Sequence, residues 1–238
     1  NGYPPTGNAG KSRSAVRLNC EVRSAMPVIL PSETDLYALT DSELSLGRSV
    51  EEVAEALLGA GIRILQYREK NLKDGAKLEE CRILRRVTEK YHACFMVDDH
   101  VDLAMICHAD GVHVGQEAIP LADVRALVGT SMCIGVSTHA PEEALAAEKG
   151  GADYIGVGPV FETHTKADVC APVGLRYLEW VSSHISVPYV AIGGIKAHNV
   201  REVYTHGGKC CALVSEFVGA RDIAGAVERV RRAMHAES

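Results

Sequence analysis

The chain has 238 residues, with 25 Lys and Arg against 31 Asp and Glu, so its formal charge at pH 7 is −6. This acidic balance argues against general nucleic-acid binding, which needs a basic face. No apolar run reaches the roughly 20 residues of a membrane-spanning helix, so we expect no membrane partner. The length suits one large α/β barrel or two small domains.

The start of the chain differs in composition from the rest. Residues 1–25 contain four basic residues and a single acidic one, Glu21. A basic, acid-poor start is typical either of a transit peptide or of a flexible terminal extension, and we favour the extension. We therefore expect residues 1–33 to be an N-terminal extension and residues 34–238 to form one catalytic barrel domain.

From residue 36 onward, short apolar runs alternate with amphipathic segments. The apolar runs predict strands at residues 36–40, 62–67, 93–97, 111–114, 132–137, 154–160, 188–192 and 210–215. The amphipathic segments predict helices at residues 49–60, 74–91, 101–108, 121–128, 141–149, 174–183, 197–206 and 221–234. Strands that are apolar throughout indicate a parallel sheet covered by helices. Eight strand–helix repeats predict the α/β class and a single (β/α)8 TIM barrel. An open doubly wound sheet is the alternative, but no G-x-G-x-x-G follows the first strand.

The cysteines indicate the redox environment. Four of the eight cysteines, Cys94, Cys133, Cys210 and Cys211, lie within or beside predicted strands, where free cysteine behaves as a small apolar residue. No C-x-x-C pair or zinc-ligand spacing occurs. We therefore expect buried free thiols in a reducing compartment, the cytoplasm.

Polar residues follow the second predicted strand, and the active sites of such barrels form at the C-terminal ends of the strands. Gln66, Arg68 and Lys70 alternate with other residues, so they share one face if the strand persists that far. An amide and two cations on one face predict an anion clamp, because Arg and Lys both suit phosphate. A solvated loop with a Glu69–Lys70 ion pair is the alternative.

Adjacent carboxylates follow the third predicted strand. Asp98 and Asp99 stand next to the predicted clamp, and Mg²⁺ commonly bridges one or two carboxylates and the phosphates of a substrate. The pair therefore predicts a Mg²⁺ site. Helix capping by Asp99 is the alternative, and both roles are compatible for different residues.

The fourth and fifth predicted strands carry His113, Gly115, Ser137 and Thr138. A single His inside an apolar run is more often a hydrogen-bonded core residue than a catalyst. Gly115 permits close approach of a ligand. The hydroxyl groups of Ser137 and Thr138 predict donors to an oxyanion, and helix capping is a strong alternative for Thr138.

The last three strands predict further phosphate contacts. Thr163, Thr165 and Lys166 follow the sixth strand, although a polar surface loop has a similar composition. Barrels often bind a phosphate with the loops after the seventh and eighth strands. The candidate residues there are Gly193, Gly194, Val214 and Ser215, and a plain tight turn is the alternative for the glycine pair.

Several of these motifs together resemble the thiamine phosphate synthase family over nearly all of residues 36–234. The similar stretches are residues 36–41, 66–70, 99–104, 109–116, 135–137, 158–161, 163–166 and 191–195. The resemblance implies a synthase that joins a pyrimidine diphosphate to a thiazole phosphate, or to its carboxylated form, with release of pyrophosphate. It implies Mg²⁺ as cofactor, small-molecule substrates as partners, and no protein nucleophile. A homo-oligomer is left open.

The resemblance also implies roles for individual residues. Arg68, Lys70 and Lys166 would hold the pyrophosphate, and Ser137 would lie beside it near the reacting methylene. The other implied contacts are Gln66, His113 and Gly115 with the pyrimidine, Asp99 with Mg²⁺, and Thr163, Thr165, Gly193, Gly194 and Ser215 with the thiazole phosphate. Of these residues, we expect Ser137, Arg68 and Lys166 to act in catalysis.

Three positions depart from the family pattern. Asp98 replaces an Asn, Ala118 replaces a second metal-binding Asp, and Glu216-Phe217 replaces a small and an aliphatic residue. We expect Asp98, which we also place among the substrate-binding residues, or Glu117 to compensate for Ala118. Two alternatives remain: a related thiazole tautomerase, which lacks the pyrophosphate clamp, and a non-catalytic barrel that binds thiamine intermediates.

Overall fold

A computed structural model describes residues 28–163, 165 and 170–236. The predictions for Lys166 and for residues 1–25 lie outside these described residues. Within them, no helix is both long enough and apolar enough to cross a lipid bilayer.

Eight parallel strands close into a barrel in chain order, β1 to β8, with β8 paired to β1. The predicted (β/α)8 TIM barrel is therefore confirmed. The strands are β1 Leu36–Leu39, β2 Ile64–Tyr67, β3 Cys94–Asp98, β4 Gly111–Val114, β5 Cys133–Thr138, β6 Tyr154–Val157, β7 Tyr189–Ile192 and β8 Cys211–Leu213. The helices are α1 Val50–Gly59, α2 Asp74–Lys90, α3 Val101–Ile106, α4 Leu121–Val128, α5 Pro141–Lys149, α6 Gly174–His184, α7 Val200–Thr205, α8 Ser215–Val218 and α9 Ile223–His235.

Strands β6 and β8 end more than one residue earlier than the sequence predicts. Strand β6 ends at Val157, before Gly158 and Pro159, because proline has no N–H to donate to a strand ladder. Strand β8 ends at Leu213, and Ser215, predicted as its last residue, begins the short helix α8. The apolar run through residue 215 therefore covers a change of secondary structure.

Alternation along the strands divides the core into two layers. One cluster of buried side chains points into the barrel, and it comprises Tyr37, Leu39, Ile64, Cys94, Met96, Cys133, Tyr154, Val190, Cys210 and Ala212. The intervening strand residues pack outward against the helices, as Ala38, Leu65 and Val97 do. Val28, Ile29 and Leu30 pack against the inner cluster, so the described end of the predicted N-terminal extension lies on the barrel.

A local signal in the sequence determines where helix α1 begins. Ser49 and Glu52 form a reciprocal capping box that begins α1, since each side chain satisfies a free N–H of the other's backbone.

The seven described cysteines are all free thiols, and every one except Cys170 is buried. The predicted burial of Cys94, Cys133, Cys210 and Cys211 is confirmed.

Candidate active site

A cavity of about 1680 Å³ opens at the C-terminal ends of the strands. Most of the residues predicted from the sequence lie on its wall. These are Arg68, Lys70, Asp99, Gly115, Ser137, Thr163, Thr165, Gly193, Gly194, Val214 and Ser215. The loops after β2 to β8 therefore bring together residues that are widely separated in the chain.

Arg68 is held at the cavity wall by residues that follow β1. Its Nη1 donates to Oδ2 of Asp41 at 2.8 Å, and both side chains are about nine-tenths buried. The backbone N–H of Arg68 donates to Oγ1 of Thr40 at 3.0 Å. The ion pair offsets part of the cost of burying the guanidinium and orients its planar fork, whose remaining N–H groups suit a phosphate.

Lys70 is anchored by two carboxylates. Its Nζ lies 2.8 Å from Oδ2 of Asp98 and 2.9 Å from Oδ2 of Asp99. Partial burial would lower the pKa of Lys70, but the two neighbouring carboxylates raise it above its usual value. Lys70 is therefore a cation at neutral pH, and the predicted alternative of a Glu69–Lys70 pair is not what the structure shows.

Asp99 does not cap the next helix. Its Oδ1 accepts from the backbone N–H of Gly115 at 3.2 Å, and helix α3 begins after His100 without a side-chain cap. Asp99 has a backbone φ of 57°, a conformation that Asp and Asn tolerate better than most residues. The capping alternative for Asp99 is therefore wrong, and the carboxylate is directed towards Lys70 and Gly115.

A chain of hydrogen bonds crosses the barrel interior below the cavity. Gln66 Nε2 donates to the hydroxyl of Tyr37 at 2.7 Å. The Tyr37 hydroxyl in turn lies 3.0 Å from the hydroxyl of Tyr154. His113 continues the chain, with Nδ1 2.9 Å from the Tyr154 hydroxyl and Nε2 2.9 Å from Oγ of Ser137. Burial raises the pKa of both tyrosines, so their hydroxyl groups keep their protons.

The hydrogen-bond chain gives the positions of Gln66 and His113, and their contacts with the pyrimidine stay a prediction. Both side chains are buried and lie beneath the cavity, outside its described lining. Gly135 makes room for the rings of His113 and Tyr154, because a Cβ added to Gly135 would overlap both. His113 is therefore both the hydrogen-bonded core residue that its apolar run indicated and a support for Ser137 at the cavity wall.

Thr138 has a structural role that was not predicted. It is fully buried, donates from Oγ1 to the carbonyl of Gly156 at 2.9 Å, and accepts from the hydroxyl of Tyr177 at 2.8 Å. Helix α5 begins after Ala140 without a side-chain cap. Both predictions for Thr138, an oxyanion donor and a helix cap, are therefore replaced by a tie between β5, β6 and α6.

The wall near β6 and β7 is built from two threonines and two glycines. Thr163 and Thr165 face each other, with 3.3 Å between their hydroxyl oxygens. Gly193 and Gly194 have positive φ values of 96° and 66°. A Cβ on Gly193 would lie 2.4 Å from Cβ of Pro159, so the glycine pair is required for packing as well as for the turn.

Some residues of the site were not predicted. Asp41, which pairs with Arg68, and Lys196, whose Nζ donates to Oγ of Ser215 at 2.7 Å, both line the cavity. Tyr37 and Tyr154 support it from below. Asp41 follows the end of β1 by two residues and Lys196 follows the end of β7 by four, so position after a strand is a signal that predicts both. Tyr37 and Tyr154 lie in apolar strand runs, so the sequence does not distinguish them from other core residues.

No cluster of three or more His, Cys, Asp or Glu side chains suited to a metal occurs within residues 28–163, 165 and 170–236. Asp98 and Asp99 nevertheless place carboxylate oxygens around the single ammonium of Lys70. Mg²⁺ is usually held by one or two carboxylates, with waters and substrate phosphates as its other ligands. This pair of oxygen donors therefore fits Mg²⁺. Ala118 lines the cavity without offering a carboxylate.

Comparison with known proteins gives a consistent picture. A family model described as thiamine monophosphate synthase matches residues 36–217. The thiamine-phosphate synthase of Lawsonia intracellularis is 54% identical over 212 residues, which cover 88% of this chain and 98% of that protein. That of Pelotomaculum thermopropionicum is 55% identical over 199 residues, covering 84% and 91%. A solved structure, thiamine phosphate pyrophosphorylase from Pyrococcus furiosus, is 40% identical with a TM-score of 0.76, covering 84% of this chain and 95% of that one.

Proposed function

The chain belongs to the thiamine monophosphate synthase family, and from this we propose that it is a transferase of thiamine biosynthesis. It condenses 4-amino-2-methyl-5-hydroxymethylpyrimidine diphosphate with 4-methyl-5-(2-phosphoethyl)thiazole, or its carboxylated form, to give thiamine phosphate and pyrophosphate. One observation carries the proposal: Arg68 and Lys70 lie on the wall of the same cavity as Gly193, Gly194 and Ser215. These two sets of groups on one wall support separate places for a diphosphate and a monophosphate.

Arg68 and Lys70 would bind the diphosphate of the pyrimidine substrate. Asp41 holds the guanidinium of Arg68, and Asp98 and Asp99 hold the ammonium of Lys70, before any substrate arrives. Cations held in place in this way stabilise charge on a leaving group without a reorganisation cost during the reaction. Lys166 remains a predicted third cation.

Ser137 and Gly115 would contact the reacting end of the pyrimidine. Ser137 lines the cavity, and His113 holds its hydroxyl from below. Gln66 and His113 would contact the pyrimidine from the buried hydrogen-bond chain below the cavity. Thr163, Thr165, Gly193, Gly194, Val214 and Ser215 would contact the thiazole phosphate.

Asp99, with Asp98 beside it, would hold Mg²⁺. When bound, a divalent cation neutralises charge on phosphate oxygens. The residues of the chain would orient the two substrates, keep water from the reacting carbon, and balance the charge of the departing pyrophosphate.

The reaction is balanced without a protein nucleophile. The bond between the pyrimidine methylene carbon and the diphosphate oxygen breaks, and its electron pair leaves with pyrophosphate. The electron-rich aminopyrimidine ring stabilises the resulting carbocation. The thiazole nitrogen then donates its lone pair to the methylene carbon, and the new C–N bond completes thiamine phosphate. With the carboxylated thiazole, CO₂ is lost as well.

A coupled assay for pyrophosphate release, together with chromatography of thiamine phosphate, tests this function. The purified chain should form equal amounts of both products from the two substrates, and EDTA should abolish their formation. A thiazole tautomerase would instead isomerise the thiazole phosphate without releasing pyrophosphate. A non-catalytic barrel would bind the substrates without turnover. Either result would refute the synthase proposal.

The compartment and the assembly of the protein are also proposals. The buried free thiols support a reducing compartment, the cytoplasm. The partners that we propose are the two small-molecule substrates. Self-association into a homo-oligomer is compatible with this proposal.

A further inference from the structure

Lys196 occupies a position in the cavity that the proposed roles leave unassigned. It follows the Gly193–Gly194 pair after β7, and its side chain is about one-third exposed on the cavity wall. Its Nζ donates to Oγ of Ser215 at 2.7 Å and lies 3.5 Å from Oε2 of Glu216. Lys196 thus places a cation beside the glycine pair and Ser215.

The carboxylate of Glu216 contacts the chain around Lys196. Its Oε1 accepts from the backbone N–H of Ala197 at 3.3 Å, and its Oε2 faces Lys196. Glu216 is not among the described residues that line the cavity, whereas Lys196 and Ser215 are. Of the two charged groups, only the ammonium therefore belongs to a residue of the cavity wall, and it lies close enough to the carboxylate to compensate its negative charge.

The polarity of the Lys196–Ser215 hydrogen bond provides a second argument. An ammonium can only donate, so the hydroxyl oxygen of Ser215 is the acceptor and its own proton is left for another acceptor. The Lys196 ammonium has three N–H donors, of which one is directed at Ser215. Its distance of 3.5 Å from the Glu216 carboxylate is long for a hydrogen bond. An oxygen-rich anion at this wall would satisfy both groups.

We propose that Lys196 binds the monophosphate of the thiazole substrate and determines the preference for the phosphorylated over the unphosphorylated thiazole. The inference rests on the proposed function, because that function places the thiazole phosphate at the β7 and β8 loops. A phosphate dianion carries more charge than the Glu216 carboxylate and accepts several hydrogen bonds, so it draws the ammonium away from this loose partner.

The direct test is Lys196→Met, with Lys149→Met on the exposed surface of α5 as the charge-matched control. Lys196→Met should raise the KM for thiazole phosphate about 10- to 100-fold, the range for losing one hydrogen bond to a charged group. The KM for the pyrimidine diphosphate and for the unphosphorylated thiazole alcohol should stay within about twofold. Equal changes for the alcohol and the phosphate, or no change for either, would overturn the inference.

A double variant separates phosphate binding from simple charge neutralisation. If Lys196 serves only to cancel the charge of Glu216, Lys196→Met with Glu216→Gln should restore the KM of the parent, and the proposal fails. If Lys196 binds phosphate, the double variant should keep a KM for thiazole phosphate at least about 10-fold above that of the parent.

Calorimetric titration of thiazole phosphate alone keeps this inference distinct from the proposed function. Parent protein that binds thiazole phosphate but forms no thiamine phosphate would refute the synthase activity, and a loss of that binding in Lys196→Met would still support the inference. Binding that Lys196→Met leaves unchanged, or no binding to the parent, would overturn it.

Discussion

The ammonium of Lys70 lies 2.8 Å from a carboxylate oxygen of Asp98. Asp99 approaches the same ammonium at 2.9 Å, so one cation is shared between two adjacent carboxylates. This arrangement links the proposed pyrophosphate clamp to the proposed Mg²⁺ site. It also gives Asp98 a direct contact with Lys70.

Asp98→Asn should raise the Mg²⁺ concentration needed for half-maximal activity by about 3- to 30-fold, because one of two candidate carboxylate ligands loses its charge while its shape is kept. Titration of Mg²⁺ in the pyrophosphate-release assay measures this effect. Binding of Mn²⁺, followed by electron paramagnetic resonance, gives a readout that does not depend on turnover. Asp102→Asn, at an exposed position of α3, is the control, and an unchanged metal requirement would remove Asp98 from the site.

Arg68→Gln should lower kcat by about 10²- to 10³-fold, the usual loss when one fixed donor to a developing negative charge is removed. The variant also leaves Asp41 without the partner that it has at 2.8 Å, so its thermal stability must be measured in parallel. Arg63→Gln, at an exposed position just before β2, is the matched control. A kcat within threefold of the parent for a folded Arg68→Gln protein would contradict the clamp.

Strand positions could be predicted from the sequence because buried parallel strands read as continuous apolar runs. The run at residues 210–215 shows the limit of that signal. It contains both β8 and the first residue of α8, and a helix of four residues is too short to show helical periodicity. The local sequence pattern therefore does not locate the boundary at Ser215.

The rim of the site could be predicted because catalytic residues in such barrels follow the strands. Its floor could not. Tyr37 and Tyr154 are 117 residues apart and hydrogen-bond through their hydroxyl groups, and a single sequence does not specify such a long-range pair. The prediction does not include Lys196 for a different reason: the glycine pair before it indicates phosphate contacts from the backbone and not from a side chain.

Tyr154→Phe should lower the free energy of unfolding by about 1–3 kcal/mol, because Tyr37 and His113 each lose one buried hydrogen bond, the one to the Tyr154 hydroxyl. Urea denaturation measures the loss, and kcat/KM should fall with it, since His113 would hold Ser137 less firmly. Tyr91→Phe removes a hydroxyl bonded to Glu55 on the outside of the barrel and should cost less than about 0.5 kcal/mol. Equal stabilities of the two variants would argue against a buried hydrogen-bond chain.

Asp35→Asn should destabilise the protein in a pH-dependent way. Partial burial would raise the pKa of Asp35, but the guanidinium of Arg231 outweighs it and the pKa is lowered; Arg231 Nε lies 2.7 Å from Oδ2 of Asp35. A carboxyl group with a lowered pKa in the folded state contributes stability above its unfolded pKa and loses it as the pH falls through the folded value.

The variant should therefore lose about 1 kcal/mol at pH 7, the usual upper value for a partly exposed ion pair. Below the unfolded pKa of about 3.9, the difference from the parent should shrink, because the unfolded parent then takes up a proton at Asp35 before the folded parent does. Urea denaturation at pH 7, 5 and 3 checks this, with Asp123→Asn at an exposed position of α4 as the control. A loss of equal size at pH 3 would mean that Asp35 stabilises the junction of β1 and α9 through packing, because an ion pair weakens once its carboxylate is protonated.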